Sequence, residues 1–99
     1  MGILKAISSR SNHNFPECSM QLVLAQLASR EGEIEHNLAR ALEVVHVDDD
    51  TALIVFPETH LSGFAEPEHV FDRALTLDGP ELEALIEASR DRDLAIAIG

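Results

Sequence analysis

The sequence predicts an α/β fold of parallel strands joined by helices, and three observations carry that prediction. Two apolar runs, Ala52-Leu53-Ile54-Val55-Phe56 and Leu94-Ala95-Ile96-Ala97-Ile98, show no polar alternation, as expected of strands covered on both faces of a parallel sheet. Ile34, Leu38, Ala41, Leu42 and Val45 recur with the spacing of one helical face. A Gly79-Pro80 pair followed by Glu81 and Glu83 reads as the start of a second helix. The order is strand, helix, strand, loop, helix, strand, for which right-handed crossovers are expected.

Taken in chain order, residues 1–19 show neither helical nor strand periodicity and are rich in Ser and Asn, with Pro16 near the end. They read as a disordered leader or a start-site artefact, with Met20 the alternative beginning; Lys5 interrupts the one apolar cluster, so a secretory signal is not expected. Residues 20–99 form the folded part. Leu22-Val23-Leu24-Ala25 with Leu27 is the first strand, closed by Ser29 to Gly32. In the helix that follows, Glu33, Glu35, Asn37, Arg40 and Glu43 are expected mostly on the outer face, with His36 and Arg40 solvated. Asp48-Asp49-Asp50 lacks the alternate-residue ligands and turn glycine of a calcium loop and reads as a solvated turn. Pro57 stops the second strand. After an irregular stretch with one helical turn around His69 to Leu75, the second helix is expected to bury Leu82, Leu85, Ile86 and Ser89. The third strand lies at residues 94–98, and three strands with open edges read as the first, incomplete part of a larger α/β domain.

Composition narrows the function. Seven Lys and Arg stand against 18 Asp and Glu, a net charge of −11, and residues 20–99 alone carry −12. Phosphate-rich partners need clustered cations, so nucleic acid and anionic membrane surfaces are excluded as natural partners. The chain is 45% hydrophobic and 25% charged, which suits a folded core rather than disorder. No apolar run is long enough for a membrane helix. A single cysteine excludes an internal disulfide framework and fits a reducing, cytoplasmic compartment.

The chemistry-bearing segment is Phe56-Pro57-Glu58-Thr59-His60-Leu61-Ser62-Gly63-Phe64. Ligands of parallel α/β sheets bind outside the carboxyl ends of the strands. Glu58 is expected just beyond such an end, partly desolvated and suited to proton transfer. By position alone, a solvated loop acid or a helix cap is the more common arrangement, since strand ends often carry such acids. Gly63 is expected to permit tight curvature beside Glu58. His60, Glu66, Glu68, His69 and Asp72 match no common metal-ligand spacing, and no cofactor or metal is expected.

Leu-Ile-Val-Phe-Pro-Glu followed by Ser-Gly-Phe resembles the glutamate motif of the nitrilase superfamily of carbon–nitrogen hydrolases. The opening Leu-Val-Leu-Ala-Gln of residues 22–26, Asn37, and the Gly-Pro-led helix before an apolar strand ending in Gly are similar too, so the resemblance spans residues 20–99. It implies the N-terminal β-α-β-α-β part of an α-β-β-α sandwich that pairs into homo-oligomers. It also implies hydrolysis of a small-molecule amide, nitrile or carbamoyl substrate by a Glu-Lys-Cys set, with Glu58 as general base. The family's Lys and Cys lie downstream of its Pro-Glu motif, whereas Lys5 and Cys18 precede it, so neither role transfers. The 99-residue chain is therefore expected to be inactive alone. His60 departs from the family pattern, where a hydrophobic or aromatic residue is commoner, and is expected either to shape the pocket or to face solvent. The competing reading is a non-enzymatic α/β fragment acting as an interaction or regulatory module.

Overall fold

The computed structural model describes residues 2–12, 15–47 and 50–99. One four-stranded sheet, ordered β1-β2-β3-β4, is formed by β1 (Gly2–Asn12), β2 (Phe15–Gln26), β3 (Leu53–Val55) and β4 (Ala95–Ala97). Helix α1 (Ile34–Val47) joins β2 to β3, and α3 (Pro80–Arg92) leads into β4. A 3-10 turn at Pro67–His69 and the single-turn α2 (Val70–Arg73) lie between β3 and α3, in the irregular stretch where one helical turn is expected. β2, β3 and β4 are mutually parallel, as expected, with Val23 beside Ile54 and Ile54 beside Ile96.

Residues 2–12 and 15–19 fall in the segment expected as a leader, and their backbone is strand. β1 runs antiparallel to β2, from Gly2 opposite Gln26 to Asn12 opposite Phe15. This pairing covers the outer edge of β2, which an order of three strands would leave open. Asp48 and Asp49 of the acidic triple lie outside the described residues.

The sheet is covered more on one face than on the other. Val23, Ala25, Ile54 and Phe56 are buried in a core completed by Ala41, Val44 and Val45 of α1 and Leu85 and Ala88 of α3. Leu22, Leu24, Leu53 and Val55, on the opposite face, are only half-buried. The apolar runs thus supply apolar side chains to two faces, but the described residues bury only one of them well. β4 is exposed at Ala95 and Ala97 because they lie on this same poorly covered face, in register with Leu53 and Val55, on a strand at the sheet edge. Full burial of a residue such as Ile54 contributes about 1.5–3 kcal/mol.

The helix boundaries follow local chemistry. Gly79 is the N-cap of α3 and Pro80 opens its first turn; Asp93 ends it in the left-handed region, with Leu94 N–H donating to Ser89 O at 3.1 Å. Leu85 is buried and Leu82 packs against the core as expected, but Ile86 is 47% exposed and its place on the inner face is taken by Ala88. Successive helical positions differ by about 100°, so Leu85 and Ala88 share a direction from which Ile86 departs. Among the described residues, no helix is long and apolar enough to cross a membrane.

Candidate active site

Because β2, β3 and β4 are parallel, their carboxyl ends lie along one side of the sheet. Phe56 N–H donates to Ala97 O at 2.9 Å, carrying the β3–β4 pairing one residue further. Pro57, which has no N–H, then ends it. Two turns follow: His60 N–H donates to Pro57 O at 3.2 Å, and Gly63 N–H to Thr59 O at 2.8 Å. Glu58 is at the tip of the first turn, where the end of β4 also arrives. A β-carbon on Gly99 would lie 3.2 Å from Glu58 Cα.

The Glu58 side chain is exposed rather than partly desolvated, since it projects from a turn tip beyond the last paired residue. Its neighbour Thr59 has φ 58°. That region costs an L-residue about 1–2 kcal/mol, and a β-branched residue is an outlier there. Strain of this kind persists only where the surroundings over-determine the backbone.

Those surroundings are the β2–α1 loop and α1. Asn37, fully buried and not on the outer face, accepts from Arg30 N–H at 2.8 Å and donates through Nδ2 to Arg30 O and Leu61 O, each at 2.8 Å. Its three bonds tie both loops to α1. Gly32 N–H donates to Ser62 O at 2.9 Å. Gly63 has φ 76°, and a β-carbon there would meet Glu31 Cα at 2.7 Å. The expected tight curvature at Gly63 is present, together with a close backbone approach that only glycine accommodates.

His60 faces inward and is fully buried. Its Nε2 lies 3.0 Å from Asn37 O and its Nδ1 3.1 Å from Ser29 Oγ, which is also 2.8 Å from His60 O. The ring stacks on Phe56 at a centroid distance of 5.4 Å. Burial holds the imidazole below the ordinary histidine range. The backbone acceptor at Asn37 opposes that shift, and Arg40 and His36 add to it. Of the two expectations for His60, facing solvent is excluded.

Two depressions flank the tip. One of about 230 Å³ includes Leu61, Ser62, Arg73 and Gly99, and one of about 290 Å³ includes Thr59, Gly63, Phe64 and Arg73. Arg73 borders both, its guanidinium 4.0 Å from Glu31 and its Nε buried without a partner. A further open apolar groove of about 440 Å³ lies between α3 and β4. Among the described residues, no three His, Cys, Asp or Glu side chains gather as a metal-ligand set. Lys5 and Cys18 are paired through the backbone with Val23 and Arg10 of the hairpin.

Sequence reasoning put Glu58 and Gly63 on the loop but missed the clasp of Ser29, Asn37 and His60. One signal was available: Asn37 stands three residues after Ile34 and four before Ala41, spacing that belongs to the inner face of α1.

The description "Carbon-nitrogen hydrolase" is that of the family whose sequence model matches residues 21–99. An "(R)-stereoselective amidase" of Pseudomonas sp is 42% identical over 81 residues, covering 81% of this chain and 30% of the amidase. The chain thus matches less than a third of that relative's length. No solved structure gives a significant match. On the extent of the family match, which takes in all three parallel strands from Gln21 onward and the Glu58 loop, the chain belongs to the carbon–nitrogen hydrolase family.

Proposed function

We propose that this chain is the N-terminal portion of a hydrolase acting on carbon–nitrogen bonds other than peptide bonds, with Glu58 as its general base. The observation that carries the proposal is the attachment of Glu58 to the carboxyl end of β3, beside Gly99 and on a loop tied to α1 through Asn37. In the proposed reaction, Glu58 takes the proton of a cysteine thiol and the thiolate attacks the carbon of an amide. The C–N bond breaks, the amine leaves with that proton, and Glu58 then deprotonates the water that cleaves the acyl enzyme. A lysine stabilises the charge that develops on oxygen. Both the lysine and the cysteine come from outside this chain's own motif, so residues 1–99 alone are inactive.

The half-buried apolar face of Leu22, Leu24, Leu53 and Val55 supports the sandwich architecture, since an inner sheet face must be apolar when a second sheet packs on it. The remaining part of that sandwich would cover Glu58, now exposed, and bring it the reacting groups. The substrate class is a small amide, nitrile or carbamoyl compound, the compartment cytoplasmic and the complete enzyme a homo-oligomer. The competing reading, a non-enzymatic interaction module, is favoured by the open groove between α3 and β4.

Grafting tests the choice. Residues 20–99 replace the matching segment of the Pseudomonas amidase, and amide hydrolysis by the chimera is measured. Turnover supports the hydrolase reading; a folded, soluble but inert chimera supports the interaction module.

A further inference from the structure

We infer that His60 is a positioning residue, a buried clasp whose two ring nitrogens fasten the Glu58 loop to α1 and to the β2–α1 loop. Its functional consequence rests on the reading of Glu58 as general base; the clasp itself does not.

The bonding follows from chemistry at each atom. Asn37 O can only accept, so His60 Nε2 carries a hydrogen and donates to it across 3.0 Å. Ser29 has one hydroxyl hydrogen and two acceptors within reach, His60 O at 2.8 Å and Nδ1 at 3.1 Å. With the imidazole neutral, Nδ1 is an acceptor and competes with His60 O for that hydrogen. With the imidazole charged, Nδ1–H would donate to Ser29 Oγ, and Ser29 to His60 O. Burial opposes this charged state, as do His36 and Arg40 on α1. The other charged or titratable groups on the elements around the ring are Glu35, Glu43 and His46 on α1, Arg30, Glu31 and Glu33 before it, and Glu58 on its own loop. The neutral ring is therefore the resting form, with the hydrogen on Nε2.

The clasp lies two residues from Glu58 and one from the strained Thr59. Phe56 stacks on the ring from the β3 side, so the residues before and after the Glu58 tip bear on one imidazole. A hydrophobic residue at position 60 would fill the space but hold neither loop through hydrogen bonds.

The test uses the 99-residue chain without substrate, so its outcome is independent of whether Glu58 is catalytic. Imidazole nitrogen spectra at neutral pH are expected to show His60 as the Nε2–H tautomer. Amide hydrogen exchange is then compared for wild type, His60→Phe and His60→Gln, since the glutamine amide retains a donor for Asn37 O. His60→Phe is expected to accelerate exchange at Gly63 and Gly32, the amides that hold the turn and join the loops, by about tenfold or more, the size associated with loss of a buried hydrogen bond. Leu94, at the end of α3, is expected to change by less than about twofold, and His60→Gln is expected to restore most of the protection. Unchanged exchange at Gly63, uniform acceleration including Leu94, no recovery with Gln, or an Nδ1–H tautomer would each overturn the inference. Should His60→Phe fail to fold, Ser29→Ala carries the test: selective acceleration at Gly63 and Gly32 supports the clasp, and uniform or absent acceleration overturns it.

Discussion

The ring Nε2 of His60 lies 3.0 Å from the main-chain oxygen of Asn37, so a residue two positions beyond Glu58 is fastened to the first turn of α1. Together with the Asn37 amide bond to Leu61 O, this contact makes the position of the Glu58 turn depend on a helical residue 23 positions before His60 rather than on the turn alone.

Asn37→Leu tests how much this attachment stabilises the fold. The substitution keeps the branched side-chain skeleton, adds the bulk of two methyl groups, and leaves Arg30 N–H, Arg30 O and Leu61 O without their present partner. A loss of about 3 kcal/mol is expected in denaturant unfolding, since each buried group left unpaired costs about 1–3 kcal/mol and part of that cost is relieved by relaxation.

Backbone geometry at the turn gives two opposite expectations. Gly63→Ala should destabilise the protein by more than about 2 kcal/mol, because φ is 76° and the new methyl would meet Glu31 Cα at 2.7 Å. Thr59→Gly should stabilise it by about 1 kcal/mol by relieving the left-handed conformation at φ 58°. Thermal or denaturant midpoints of the two variants, measured against wild type, check both signs.

Acid should weaken the fold through His60. Its pKa is lowered in the folded state, so between the folded value and the ordinary histidine value of about 6.5 the unfolded chain binds more protons. This contribution is fully present above about pH 6.5 and is lost as pH falls from there through the folded pKa. Urea unfolding across that range should show a falling stability in wild type, with the histidine part of the slope removed in His60→Gln.

The extent to which the sequence revealed this arrangement differs between its parts. The three parallel strands and both main helices follow from apolar runs and helical spacing, because burial of Ile54, Val45 and Leu85 is recorded directly as apolar side chains. The Pro57-Glu58 junction was legible for a similar reason: proline marks where pairing must stop. The clasp was not, since it is made of polar residues whose burial is compensated by partners 7 to 31 residues away, and no local pattern encodes such pairing. The hairpin formed by β1 was also hidden. Its residues carry no alternation, and the pairing depends on the free edge that β2 presents.

Replacement of Glu58 by Gln in the chimera with the Pseudomonas amidase addresses the central claim most directly. Turnover is predicted to fall by at least about a hundredfold, the lower range for loss of a general base, with the circular dichroism spectrum and melting midpoint unchanged. Turnover within a few-fold of the unsubstituted chimera would contradict the account.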